Sequence, residues 1–198
     1  KTEGTCHPIG HIVGEITFHT SANLEQALRR CNNSCRSACT HGAIGAGVLA
    51  ELGQAYTGED IAHADKGALA KLAKTYCQRS NSTCHAIGHL ATLVTDNYTD
   101  ALKICDLATR RVFRDSCYQG VFMEIAGSFV NAIFPTTVAG TVQLPARTDV
   151  FSSCAEIPER YRHACFLLLN EYRETIYDAR GDVSVEEKLN NALSECNS

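Results

Sequence analysis

Apolar residues recur along this chain at the 3.6-residue spacing that is typical of an amphipathic α-helix. Two short stripes show this spacing, and they consist of Leu24, Ala27, Leu28 and Cys31 and of Ala101, Leu102, Cys105 and Ala108. Asn23 and Asp100 immediately precede the stripes, so their side chains are predicted to cap the first turn of each helix. The pattern predicts short helices that each bury one face.

Two longer runs consist mostly of small and apolar residues. They cover residues 42–52 and 121–133 and are predicted to form buried helices that pack at close range. The glycines at the predicted packing positions are Gly45, Gly47 and Gly127. Only residues 136–144 resemble a β-strand, but a glycine interrupts them and prolines flank them. We therefore predict an all-α fold with one long loop or small hairpin near residues 135–149.

An internal duplication organises the chain. The phrase C-H-x-x-G-H occurs at residues 6–11 and again at residues 84–89, an offset of 78 residues. A C-x-x-G phrase follows at Cys39 and at Cys117 with the same offset, and Cys165 opens a shorter third copy. The predicted units of this single helical-repeat domain (residues 1–198) are residues 6–83, 84–164 and a partial unit, 165–198. Such units bury their apolar faces by stacking on one another.

The composition favours an oxidising compartment. The chain has 198 residues and 11 cysteines, a density at which cysteines persist as disulfides in exported proteins. Three N-x-[ST] sequons, at Asn32, Asn81 and Asn97, predict N-glycosylation and agree with export. We expect an extracellular, cell-surface or periplasmic protein.

The charge pattern excludes two classes of partner. The 18 basic and 22 acidic residues give a net charge of −4, and no basic cluster marks a nucleic-acid interface. No apolar run approaches the length of about 18 residues that a membrane-spanning helix needs. We expect neither a nucleic-acid partner nor a membrane span.

The cysteines follow a rule in which one cysteine ends a short helix and the next begins the following helix. Each such pair would staple a helix hairpin and remove about 2–3 kcal/mol of chain entropy from the unfolded state. The predicted pairs are Cys31–Cys39, Cys77–Cys84, Cys105–Cys117 and Cys154–Cys165, with Cys31–Cys35 as an alternative to the first. Cys6–Cys35 is the preferred fifth bridge, and it leaves Cys196 unpaired or bonded to a second molecule.

Four of the eight histidines lie in two H-x-x-G-H motifs. His7 and His11 are four residues apart, as are His85 and His89. On a helix this spacing places both imidazoles on one face, where they can bind a transition metal. His41 is the best candidate for a fifth ligand, because its helix should pack beside that of His7.

Two carboxylates could support such a site. Glu15 lies four residues beyond His11, where it could bind the metal or accept a hydrogen bond from an imidazole. Glu124 lies in an otherwise apolar helix, where a carboxylate needs a partner, a metal or a turn towards solvent. A structural role stays open for all of these residues, since a histidine beside a bridged cysteine can simply bind backbone carbonyls.

The histidine motif differs from that of the zinc proteases. The H-E-x-x-H proteases need a glutamate after the first histidine as general base, and here Pro8 and Ala86 occupy that position. Imidazole ligands without thiolates favour copper or zinc. A haem held by two histidines is a third candidate, with the motif glycines making room for the porphyrin.

Three phrases in the second unit resemble the motifs of a known family. They are Cys84-His-x-x-Gly-His, Ala101-Leu-x-x-Cys-Asp and Cys117-Tyr-x-Gly-Val-Phe-Met-Glu. The family consists of secreted, cysteine-rich α-helical repeat proteins of bacteria and archaea, without an assigned activity. The resemblance covers residues 80–127 well and implies an exported helical-repeat fold. Some members carry H-E-x-G-H, and both copies in this chain lack that glutamate.

These features lead to three functional hypotheses. The first is an exported protein that binds a transition metal or haem through its paired motifs, without turnover. The second is a glycosylated structural protein that self-assembles into a homo-oligomer, filament, surface layer or adhesive module, since stacked repeats expose complementary ends. The third is a metal-dependent hydrolase with Glu15 or Glu124 as base.

Overall fold

The computed structural model describes residues 3–32, 34–53, 64–131, 154–155 and 157–168. Within these ranges, side chains are described except at residues 3–5, 7, 8, 34, 36 and 127–131. The described residues form α-helices and no strands, which confirms the predicted all-α class. The loop or hairpin predicted near residues 135–149, most of the third unit and Cys196 lie outside the described residues.

Four long helices form a row in which each packs on the next. In chain order the described helices are α1 (Glu3–His19), α2 (Leu24–Arg30), α3 (Ser34–Glu51), α4 (Lys66–Tyr76), α5 (Asn81–Thr95), α6 (Tyr98–Cys105), α7 (Arg111–Asn131) and α8 (residues 159–168). Helix α3 packs against α1 and α5, and α5 packs against α7. The short helices connect them: α2 packs on α1 and α3, whereas α6 packs on α5 and α7.

Asparagine side chains begin two of the short helices. Asn23 caps α2, as predicted, and its side-chain oxygen accepts a hydrogen bond from a backbone N–H at 2.9 Å. Asn97 caps α6 and accepts from the backbone N–H groups of Thr99 and Asp100. The prediction that Asp100 caps this helix is therefore wrong. Asn97, three residues earlier, already satisfies those N–H groups, so Asp100 lies within the first turn.

Five disulfide bonds fasten the described helices to one another. They are Cys6–Cys35, Cys31–Cys39, Cys77–Cys84, Cys105–Cys117 and Cys154–Cys165. These are the five preferred pairs of the sequence analysis, and Cys31 bonds to Cys39 rather than to Cys35. Four bridges span only 7–12 residues, whereas Cys6–Cys35 spans 29 residues and ties α1 to α3.

The hydrophobic core lies between the long helices from α3 to α7. Its largest fully buried side chains include Ile44, Leu69, Ile87, Leu102 and Phe122. Helix α1 differs, because one of its faces is exposed and carries Ile9, Ile12, Val13 and Ile16. Since its larger apolar side chains point to solvent, α1 packs on α3 through small residues, and its backbone comes close to that of α3.

At two helix crossings the backbones touch. The facing residues are Gly14 with Cys39 and Gly42 with His11 where α1 crosses α3, and Gly88 with Cys117 and Gly120 with His85 where α5 crosses α7. In each pair a Cβ added to the glycine would overlap the carbonyl oxygen of its partner, so only glycine fits. Of the glycines predicted to pack closely, Gly47 lies against the Leu24 side chain, whereas the surroundings of Gly127 are outside the described side chains.

The two crossings correspond to each other, but with different offsets along the chain. Gly42 of α3 matches Gly120 of α7 with the offset of 78 residues seen in the sequence. Gly14 of α1 matches Gly88 of α5 with an offset of 74 residues, one helical turn less. A shift of four residues keeps the same helix face inward, which is why the sequence phrases align equally well one turn away. The structural counterpart of His89 is therefore Glu15.

A hydrogen-bonded network ties α8 to α6 and α7. Asp106, directly after α6, accepts hydrogen bonds from the hydroxyls of Tyr118 at 2.5 Å and Tyr161 at 2.7 Å. A guanidinium nitrogen of Arg160 lies 3.1 Å from the same carboxylate. Burial, followed by the hydrogen bond to Asp106, raises the pKa of Tyr118 above its usual range. Tyr118 therefore stays a protonated donor at neutral pH.

Candidate metal centre

Four histidines from three helices come together in the row of long helices. His11 lies on α1, His41 on α3, and His85 and His89 lie one turn apart on α5. Because α3 packs against both α1 and α5, His41 lies between His11 and the α5 pair. Gly42, the next residue, lets α3 touch the backbone of α1 at His11. The close crossing thus delivers the two imidazoles to one place.

The ring centroids of these histidines are separated by short and similar distances. His41 lies 4.8 Å from His85 and 5.5 Å from His89, and the last two lie 4.8 Å apart. His11 lies 5.5 Å from His41 and 5.6 Å from His89. One ring nitrogen from each of His41, His85 and His89 lies within 4.8 Å of the other two. We call His11, His41, His85 and His89 the histidine cluster.

These distances suit four imidazoles around one metal ion. A metal–nitrogen bond of about 2.0–2.1 Å places the ring centroid about 3.2 Å from the ion, so tetrahedral ligands have centroids about 5.2 Å apart. The observed separations of 4.8–5.6 Å lie on both sides of this value. Small ring rotations would bring the nitrogens to the separation of about 3.3 Å that such ligands need. The cluster therefore has the size of a mononuclear metal site.

Hydrogen bonds orient two of the rings. His85 Nδ1 lies 3.1 Å from the carbonyl oxygen of Ser116, and His89 Nδ1 lies 2.5 Å from a carboxylate oxygen of Glu124. A carbonyl or carboxylate oxygen accepts, so both Nδ1 atoms carry the proton and the lone pair of each neutral ring is on Nε2. Both Nε2 atoms are buried from solvent, as is Nδ1 of His41. The nitrogens that carry the lone pairs of His85 and His89 are therefore buried ones.

Glu124 occupies the position that carboxylates take behind metal-bound histidines. Its side chain is 30% exposed and reaches from α7 to His89 on α5, whose side chain is 8% exposed. Histidine ligands usually donate their second N–H to a carboxylate or a backbone carbonyl, and His89 and His85 have one of each. Of the roles that the sequence left open for Glu124, the structure has the paired one.

Two predicted site residues have no printed place in the cluster. The side chain of His7 lies outside the described residues. Glu15 is half-buried on α1, one turn beyond His11, at the position that corresponds to His89 on α5. The first unit thus pairs a histidine with a glutamate where the second unit pairs two histidines.

Three cysteines also lie close together, but as disulfides. The sulfur atoms of Cys77, Cys84 and Cys117 are within 4.8 Å of one another. Cys77 is bonded to Cys84, and Cys117 is bonded to Cys105. Because the thiolate is the form that binds metals, this group has no metal ligand while the bridges are intact. Metal chemistry among the described residues therefore rests on the histidines.

A polar cavity of about 240 Å³ opens beside two of the cluster histidines. It is lined by His41, Asn81, Ser82, His85, Ser116, Gln119, Met123 and Leu168. The sequence analysis missed Ser116 and Gln119. A signal existed for Gln119, which matches His41 in the 78-residue repeat, whereas Ser116 acts through a backbone carbonyl that every residue has.

The motif glycines serve helix packing. A Cβ on Gly10 would overlap Ala38 of α3, and a Cβ on Gly88 would overlap the backbone of α7 at Cys117. The space beside both glycines is therefore filled by neighbouring helices, and it offers no room for a porphyrin there. The surroundings of the cluster suit a single ion better than a haem.

Fold and site together define a disulfide-rich, all-α protein with a histidine group that could bind a metal ion. Comparison with models of protein families, with curated proteins and with solved structures found no match. Among the described helices, none is long and apolar enough to cross a membrane.

Proposed function

We propose that this protein binds one transition-metal ion through His41, His85 and His89, with His11 as the fourth ligand. The observation that supports this most strongly is the pair of hydrogen bonds from Nδ1 of His85 and His89, which leave the lone pairs on buried Nε2 atoms. Structural histidines need no such common orientation around one point. His7, one turn before His11, stays a further predicted ligand.

The ligand chemistry favours copper(II) or zinc. All four proposed ligands are imidazoles, which bind both ions well, and the cysteines nearby are oxidised. Copper(II) binds more tightly than zinc at most nitrogen sites, so metal supply would decide which ion is found. We also infer an oxidising compartment, since five disulfides occur within the described part of a 198-residue chain.

Metal analysis of protein purified without chelator tests the proposal. We expect about one copper or zinc ion per chain, and loss of most of it in the variants His41→Ala and His89→Ala. His163→Ala is the matched control, because His163 is exposed on α8 and should leave the metal content unchanged. Circular dichroism would show that each variant is folded. Wild-type protein that binds neither ion, or variants that keep full metal content, would refute the assignment.

A further inference from the structure

The histidine cluster has one face towards protein and one towards the cavity. His11 approaches His41 and His89 from α1, and Glu124 lies behind His89. The cavity instead lies along His41 and His85, on the side of Ser82 and Gln119. A metal held by the cluster would therefore be enclosed by protein on the His11 side and reachable from the His85 side.

The cavity has the size and polarity of a site for a small ligand. A volume of about 240 Å³ corresponds to about eight water molecules, at about 30 Å³ each. Ser82, Asn81 and Gln119 supply a hydroxyl and two amides to its wall, and Met123 and Leu168 supply apolar surface. These groups can donate hydrogen bonds to a bound molecule.

The eight residues that line this cavity include no aspartate, glutamate, lysine or arginine. A carboxylate in the wall would repel an anion and compete for the metal, and a lysine or arginine would repel the metal itself. An anion that enters would therefore meet its opposite charge on the ion. Zinc and copper can both accept a ligand beyond their protein nitrogens, as zinc does when it expands to five-coordination.

We propose that the metal keeps a coordination position open to this cavity and binds a small anion there, with Ser82 and Gln119 as hydrogen-bond donors. The ligand class comprises hydroxide and one- to four-atom anions such as azide, formate or bicarbonate. This inference rests on the proposed metal site, and it makes that site one for reversible ligand binding instead of a purely structural one.

Azide titration of the cobalt(II) protein tests this inference, because bound azide changes the visible spectrum of cobalt. We expect a saturable spectral change in the wild type. In Ser82→Met, whose side chain should fill the cavity without touching a ligand, we expect azide affinity to fall at least about tenfold. The matched control is Thr75→Met, at an exposed position on α4, and it should bind azide like the wild type.

The outcomes separate this inference from the proposed function. If cobalt binds in a 1:1 ratio but azide leaves the spectrum unchanged, the metal site stands and the open position is refuted. Equal azide affinity in the wild type and in Ser82→Met, with cobalt content unchanged, would also refute binding in this cavity. If the wild type binds no cobalt, both proposals fail.

Discussion

At the scale of single residues, the environment of each ring decides its chemistry. His89 and His85 share a helix and a motif, yet one ring is held by a carboxylate and the other by a backbone carbonyl. Both acceptors select the same tautomer, and the carboxylate additionally raises the basicity of its ring. Glu124 should therefore influence metal affinity without touching the ion.

Replacing Glu124 by alanine should weaken metal binding by about 10- to 100-fold, because His89 loses the acceptor that orients it. Glu124→Gln should lose less, since an amide oxygen still accepts from Nδ1 but carries no charge. Competition with a chelator of known affinity would measure both variants. Equal affinities in wild type and Glu124→Ala would show that this contact is only structural.

At the scale of helices, the crossings set what the side chains can reach. The α1–α3 and α5–α7 pairs each place a glycine against a facing carbonyl, and a histidine lies within one turn of each contact. If the helices were held about 2 Å farther apart by ordinary side chains, the imidazoles would no longer meet at metal-binding distances. The glycines therefore belong to the site through its geometry.

The variant Gly88→Ala should destabilise the fold by about 3 kcal/mol, since its methyl group would overlap backbone atoms of α7 that cannot rotate away. Urea unfolding followed by circular dichroism would measure the free energy of unfolding.

Gly67→Ala is the matched control for this variant. Gly67 lies in the exposed first turn of α4, where the nearest atom to an added Cβ is an oxygen of the Asp65 side chain. We expect a change within about 1 kcal/mol there. If both substitutions cost the same, the backbone contact at Gly88 would not be the cause.

At the scale of the whole molecule, the disulfides and the histidine cluster act in different places. Two of the five described bridges lie within α1–α3, and the other three lie within the part from α4 to α8. No described bridge joins these two parts. They are joined by the packing of α3 on α5 and by the histidine cluster, which takes ligands from both.

A bound metal should therefore cross-link the two parts and stabilise the native state. With zinc at about 100 times its dissociation constant, the free energy of unfolding should rise by about 2.7 kcal/mol. Thermal unfolding with and without zinc would measure this, and amide hydrogen exchange should slow in α1 and α3. His41→Ala should abolish the effect, and an unchanged melting temperature in the wild type would argue against a bridging ion.

Much of the local structure could be predicted from particular residues. The stripe from Leu24 to Cys31 and its cap at Asn23 became α2, and short spacing between cysteines was enough to pair them. Closing a loop of 7–12 residues costs little entropy, so the nearest cysteine is usually the partner. The cap of α6 was misplaced because Asn97 and Asp100 are both good capping residues one turn apart.

The sequence by itself determined the helical class, the bridging pattern and the two histidines on α5, because these depend on periodicity and contacts within a few residues. Only the tertiary structure decided that His41 and His11 join them, that Glu124 and the Ser116 carbonyl orient the rings, and that α1 corresponds to α5 with an offset of 74 residues. Those facts depend on how helices cross. A shift of one turn preserves the apolar face and the sequence pattern while it changes which side chains meet.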